Sequence, residues 1–379
     1  MLGRESGHRI RGNGTMATEQ RDNSWNDLEA AVGTDFSGGA FRTGADPTEK
    51  GAIRKFCEAL EMDCPLYHDD EVARRFGHPD VPAPVSMINS TLAAPPIWKP
   101  GDPTRWPDAE RNTITDSLGN APGIPLPLPP TTAGFATDIE VEFARQVYVG
   151  DQLSAGGQKL ISVNIRETTV GYGAFFVNEG WVRNQKGQQV ATTRNGLYRY
   201  NPHPDGTHQP ANRGSDDSAR SAALDMPPSV ASNVDWDFQR YFEDINEGDA
   251  VPPVVTNVTV QRLVIEAGAN RDFTPIHHNT EIAQGQGAPE MYANNVFIQG
   301  MWERVVREYI GLASTIRKVG PFRMRIFNPV GESVVTHGTV TRKWQAAGEN
   351  LVELNIRSEH SGGISVGPGP VVVTIPSKP

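Results

Sequence analysis

The sequence of 379 residues predicts an α+β protein built from two copies of one unit, each combining helices with an antiparallel sheet. Two separate segments recur at fixed spacing along the chain. The first follows, in both halves, a stretch whose apolar residues fall at helical spacing. The second sits, in both halves, among runs rich in β-branched and aromatic residues.

The first recurrence pairs Cys64–Pro79 (CPLYHDDEVARRFGHP) with Thr274–Pro289 (TPIHHNTEIAQGQGAP) without a gap, at an offset of 210. Pro65/Pro275, His68/His278, Glu71/Glu281, Ala73/Ala283, Gly77/Gly287 and Pro79/Pro289 are identical. Ahead of the first copy, Asp46-Pro47-Thr48-Glu49 reads as N-cap, first-turn proline and capping-box acid, with Ile53, Phe56, Cys57 and Leu60 on one helical face. Ahead of the second, Thr259 is the expected N-cap, and Val260, Leu263, Val264 and Ala267 the buried face. Pro65 and Pro275 end these helices, because the residue before proline avoids the α region. The second recurrence starts at Tyr148 (YVGDQLSAGGQKLI) and Pro329 (PVGESVVTHGTVTR), at an offset of 181.

The change in offset implies an insertion in the first half, assigned to Pro95–Pro130, a Pro-, Gly- and Asp-rich stretch of the kind that forms lids or binding loops. Asn294–Gly311 is expected as a longer helix buried through Val296, Phe297, Met301, Val305 and Tyr309. Strands are expected at 139–147, 160–166, 174–183 and 190–200, with a hairpin turn at 184–187, and again at 323–327, 333–344, 351–357 and 371–375. The resulting division is a disordered tail at 1–30, a first domain at 31–200 with the insertion at 95–130, a polar Pro-rich linker at 201–235 and a second domain at 236–379.

Bulk properties narrow the function. Charged residues are 21% and apolar ones 37%, as expected of a folded soluble chain. A net charge of −10 argues against nucleic acid as partner. Cys57 and Cys64 make no disulfide framework and suit a reducing cytoplasm. No apolar run is long enough for a membrane span, and the N-terminus lacks the apolar core of a signal peptide. With no P-loop, H-E-x-x-H or C-x-x-C, neither nucleotide hydrolysis nor a metal is expected. Gly363-Ile364-Ser365-Val366-Gly367 matches a nucleophile-elbow pattern, but strand residues follow it and no later His is available.

The chemistry concentrates in Arg271–Asn279 (RDFTPIHHN). Asp272 and His277 are an acid/base pair held apart by Pro275, which excludes a continuous helix. The first half has Met62 and Tyr67 at those positions, so it keeps the scaffold and lacks the pair. His68 and His278 occur in both halves and are read as structural.

Asp272-Phe273-Thr274-Pro275-Ile276-His277, followed by a helix with Gln299-Gly300-Met301-Trp302, resembles the MaoC-like enoyl-CoA hydratases and dehydratases in their two-domain form with a degenerate N-terminal half. The resemblance covers roughly residues 51–200 and 241–375. Thr274 replaces the family's usual Asn, Arg271 a Gly, Asn279 an Asp and Gln299 a His. It implies a double hot-dog fold, each unit a long helix wrapped by an antiparallel sheet. It also implies a thioester of coenzyme A, or less often of acyl carrier protein, as substrate, with no separate cofactor and with room for a homodimer. The expected reaction is (R)-specific addition of water to a 2-enoyl-CoA, or its removal from a 3-hydroxyacyl-CoA. Asp272 and His277 are the expected catalytic groups, Gly300 the oxyanion donor and Thr274 a further substrate-site residue. Burial is expected to raise the Asp272 pKa, and the carboxylate to raise that of His277. An acyl-CoA thioesterase on the same fold and a non-catalytic acyl-CoA-binding subunit are the alternatives.

Overall fold

A computed structural model describes residues 23–89, 91–111, 125–168, 171–203 and 234–379. In the first half these form α1 (Asn26–Ala30), β1 (Phe41–Thr43), α2 (Lys50–Leu60), α3 (Asp70–Arg75), β2 (Ala133–Phe143), β3 (Ser154–Thr168), β4 (Gly171–Arg183) and β5 (Gln189–Pro202). The second half contributes β6 (Ala250–Asn257), α4 (Val260–Asn270), α5 (Thr280–Gly285), α6 (Asn295–Ile310), β7 (Thr315–Arg323), β8 (Ser333–Ala346), β9 (Glu349–His360) and β10 (Gly363–Thr374). The strands make one antiparallel sheet in the order β1-β3-β4-β5-β2-β7-β10-β9-β8-β6. The halves meet at the β2–β7 seam, where Val141 faces Val319 and Glu142 faces Lys318. Charges reinforce the seam: Lys318 Nζ lies 2.9 Å from Glu140, and Arg323 Nε 2.9 Å from Asp138.

The repeat inferred from sequence is a repeat in space. The bounds of α2 and α4, of the 3-10 turns Pro65–Tyr67 and Pro275–His277, and of α3 and α5 each differ by 210. The isolated bridges Pro82–Tyr148 and Tyr292–Pro329 reproduce both offsets at once. One hydrophobic core runs through both halves, from Ile53 and Phe56 to Phe297, Trp302 and Ile356. Fourteen residues of α6 are buried, because β-strands and both α2 and α4 enclose it.

Several elements differ from expectation for local reasons. The Asp46–Glu49 stretch does not cap α2. Thr48 is bound instead to the Asp151 carbonyl through its N–H and hydroxyl, and helix starts at Lys50. Thr259 does cap α4, accepting from Arg262 N at 3.2 Å. Val260 and Val264 face outward, 51% and 52% exposed, while Leu263, Glu266, Ala267 and Asn270 face inward. The first half has no counterpart of α6 among its described residues, only the 3-10 turn Val85–Asn89. Pro84, Pro95, Pro96 and Pro100 explain this, since each removes a backbone donor and crowds the preceding turn. The strand expected at 323–327 ends at Arg323, after which Arg325 and Ile326 both donate to the Ser365 carbonyl.

The expected tail falls outside the described residues up to position 22. Residues 23–30 are structured, however: Trp25, just before α1, and Leu28 within it are buried against Leu160, Ala174 and Phe176. Of the expected insertion 95–130, residues 112–124 lie outside the described set, as do 204–233 of the expected linker. Ser365 lies within β10, fully buried, its hydroxyl donating to Ser358 O, which is no setting for a nucleophile. No helix among the described residues is long and apolar enough to cross a membrane.

Candidate active site

The site forms where α4 stops. Arg271 takes a left-handed conformation (φ 61°) and turns the chain out of the helix. Asn270 Oδ1 accepts the Asp272 N–H at 2.9 Å, holding the first residue beyond the turn. Asp272 Oδ1 then accepts from Thr274 N at 3.2 Å and Thr274 Oγ1 at 2.6 Å, an Asx-type turn that fixes the carboxylate. Pro275 opens a 3-10 turn that ends on His277. His277 Nδ1 donates to the Tyr292 carbonyl at 2.8 Å, and its ring lies edge-on to the Tyr292 ring at 5.1 Å. In the neutral imidazole that bond leaves the lone pair on Nε2, which faces Asp272 Oδ2 at 3.6 Å. The separation is too long for a direct hydrogen bond and lets both atoms hold one water molecule.

Burial dominates the electrostatics of His277. It pushes the imidazole below its ordinary value, against the opposing pull of Asp272 and of the Tyr292 carbonyl. The upward shift expected from the carboxylate alone is therefore corrected: the carboxylate only reduces a larger downward effect. His277 stays neutral, and able to accept a proton, to lower pH than a free histidine. Replacing Asp272 by Asn removes the opposing charge, so the His277 midpoint is expected to fall further when titrated by NMR. An upward move would contradict this assignment of causes.

Thr274 and Gly300 make contacts that the sequence did not predict. The single hydroxyl proton of Thr274 is directed at Asp272 Oδ1, so this residue orients the Asp272 carboxylate. Gly300 is the sixth residue of α6, beyond the turn whose N–H groups lack helical acceptors. A Cβ at Gly300 would come within 2.5 Å of Leu60 Cδ1, so its glycine serves close packing of α6 on α2. The available donors are at the helix start. Asn294 Oδ1 caps Phe297 N at 2.9 Å, and Ile298 N reaches Asn294 O. No acceptor is found for the N–H groups of Asn295 and Val296 among the described residues. They lie three and four residues past the His277-bound carbonyl of Tyr292, at the positive end of the α6 dipole. His68 Nε2 bonds the Met62 carbonyl at 2.8 Å, as suits a structural histidine, whereas His278 is exposed. No cluster of three or more His, Cys, Asp or Glu able to hold a metal occurs among the described residues.

A family model described as the FAS1-like dehydratase domain region matches residues 35–193. A "Probable enoyl-CoA hydratase alpha subunit" from Thermomonospora curvata is 31% identical over 176 residues, 46% of this chain and 51% of that protein. The chain thus spans about half the length of that relative. A 3-oxo-4,17-pregnadiene-20-carboxyl-CoA hydratase alpha subunit from Mycobacterium tuberculosis is 23% identical over 299 residues, 76% of this chain and 87% of that protein. Among solved structures, a MaoC-like dehydratase superimposes with a TM-score of 0.61 at 18% identity, covering 92% of this chain and 100% of the other. A conserved hypothetical protein from Mycobacterium tuberculosis, described as having a double hotdog fold, gives 0.55 at 11% identity and covers 91% and 96%. The chain has the double hot-dog fold of these structures.

The family model falls on the half that lacks the Asp272–His277 pair. There Tyr67, at the position of His277, donates its hydroxyl to Glu303 Oε1 at 2.7 Å. Glu303, from α6 of the other half, also accepts from Val85 N at 2.9 Å, Ser86 N at 2.8 Å and Ser86 Oγ at 2.5 Å. Val85 and Ser86 are the offset-210 counterparts of Asn295 and Val296. The donors that remain free in one half are occupied in the other by a carboxylate. Sequence reading missed Glu303, Tyr292, Asn270 and Asn294; comparing columns at offset 210 beyond the identical ones would have exposed Asn270 and Asn294.

Proposed function

We propose that the protein is a hydro-lyase adding water to a 2-enoyl-CoA thioester, or removing it from a 3-hydroxyacyl-CoA, at one site per chain. The observation that carries this reading is the pairing of His277 Nε2 with Asp272 Oδ2 at 3.6 Å, close in the chain to the α6 N-terminus and its free donors. In hydration, a water held between the two side chains loses a proton to this pair while its oxygen bonds the β-carbon. The π electrons shift toward the thioester oxygen, and the N–H groups of Asn295 and Val296 stabilise the resulting enolate. A proton then adds to the α-carbon, from whichever of the two groups holds it.

The insertion extends to this half of the molecule. Arg111 Nη1 pairs with Glu281 Oε1 at 2.9 Å, four residues after His277. With a short turn where a second long helix would stand, this supports an acyl group bulkier than a short straight chain. The steroid-type substrate in the name of the Mycobacterium tuberculosis relative has that character. A panel of 2-enoyl-CoA thioesters of graded bulk, analysed by mass spectrometry, tests both parts. The expected result is gain of one water with the thioester intact, fastest for a bulky acyl group. Release of free coenzyme A would point instead to thioesterase chemistry, and turnover restricted to short straight chains would refute the size argument.

A further inference from the structure

Next to the turn that carries Asp272, three polar side chains are sealed from water. Glu266, Asn270 and Asn294 are 1%, 0% and 1% exposed. Asn270 Nδ2 donates to Glu266 Oε1 and to Asn294 Oδ1, the latter at 3.0 Å. The other end of the Asn270 amide accepts the Asp272 N–H, and Asn294 Oδ1 caps α6. One buried amide therefore links the backbone carrying the acid to the helix start carrying the free donors.

The two halves supply the control. At offset 210 the same columns hold Phe56, Leu60 and Pro84. Phe56 and Leu60 are as deeply buried as their polar counterparts, so the scaffold itself packs well with apolar residues there. The polar trio occurs only in the half that has Asp272 and His277. Buried polar groups cost stability unless fully partnered, and a scaffold turn alone gives no reason to keep them.

We propose that Glu266, Asn270 and Asn294 are a positioning network that sets Asp272 in register with the N-terminus of α6, with Glu266 anchoring the Asn270 amide. Glu266 acts as a neutral acid. Burial, and then the nearby Asp272 charge, push its carboxyl well above the ordinary range, against the pull of the Asn294 amide. Glutamine can therefore replace it, and leucine cannot.

The proposal deepens the hydro-lyase reading and rests on it, so its test has one readout with turnover and one without. The full-length chain is compared with Glu266→Leu, Glu266→Gln and Asn270→Ser. The first readout is kcat and KM on the 2-enoyl-CoA that the panel shows to be hydrated fastest. The second is the ligand-free NMR titration of His277, which is faced by Asp272, His278 and the Tyr292 ring. Glu266→Leu and Asn270→Ser are expected to lower kcat by roughly 10- to 100-fold through misplacement of the acid, with little change in KM. They are also expected to move the His277 midpoint down toward its Asp272→Asn value as the carboxylate drifts away. Glu266→Gln is expected to restore both. A folded Glu266→Leu protein with wild-type kcat and an unmoved midpoint overturns the proposal, as does Glu266→Gln behaving like Glu266→Leu. If the wild type hydrates no enoyl-CoA, the functional reading falls and the titration alone decides: a midpoint lowered by leucine and restored by glutamine upholds the network, and no movement refutes it.

Discussion

Asp272→Asn is expected to lower kcat by roughly 10³-fold, within the range for loss of a positioned acid/base group, while KM changes little. The amide is nearly isosteric and can still accept from Thr274 through its oxygen, so the Asx turn persists. It cannot take a proton from water near neutral pH, and at the Oδ2 position it offers a donor where an acceptor is needed. His277→Ala is expected to lose a comparable factor, and the double variant little more, since the two groups act on one water. Steady-state rates on the preferred enoyl-CoA decide the matter. A loss below about tenfold in either single variant would mean that the pair does not carry the chemistry.

Glu303→Ala is expected to be the most destabilising single substitution at the junction of the halves, by about 3–5 kcal/mol. Glu303 accepts four hydrogen bonds in a buried setting, from Tyr67, Val85 and both groups of Ser86. Truncation leaves those donors without partners and opens a void beside Tyr67, with each unsatisfied buried donor costing about 1–3 kcal/mol before relaxation. Other ties across the same junction remain, including Arg304 Nη1 to Leu60 O at 2.7 Å and Arg262 to Glu61 at 2.9 Å, so the chain loses one anchor among several. Urea denaturation of the two proteins measures the difference. A loss under about 1 kcal/mol would show that the carboxylate does not anchor the junction.

Much of the architecture was legible in the sequence because both halves obey the same local rules. The prolines at 65 and 275 and the N-cap at Thr259 act within a few residues, and an ungapped offset carries them from one half to the other. β6 escaped because Pro252 and Pro253 argue against a strand, yet β6 lies at the end of the sheet, where missing donors are tolerated. That the described residues of the first half hold no counterpart of α6 was signalled by Pro84, Pro95 and Pro96, which outweigh the analogy with α6.

At the candidate site, the juxtaposition of Asp272 and His277 was legible from residue type and spacing. Gly300 misled because glycine has two uses: its freedom suits a ligand oxygen, but here it admits Leu60. The sign of the His277 shift depends on burial and depth of packing, which no motif encodes. Glu303 acts across 236 residues of chain on Tyr67, a relation set by tertiary structure alone.

The most direct test of the central claim is to incubate wild-type protein with a 2-enoyl-CoA in water enriched in oxygen-18 and deuterium, and to locate both isotopes in the product. A water gripped between Asp272 and His277 predicts oxygen-18 on the β-carbon, one deuterium at the α-carbon and an unlabelled, intact thioester carbonyl. Oxygen-18 in a free carboxylate accompanied by released coenzyme A, or no isotope in a thioester that nonetheless binds, would contradict it.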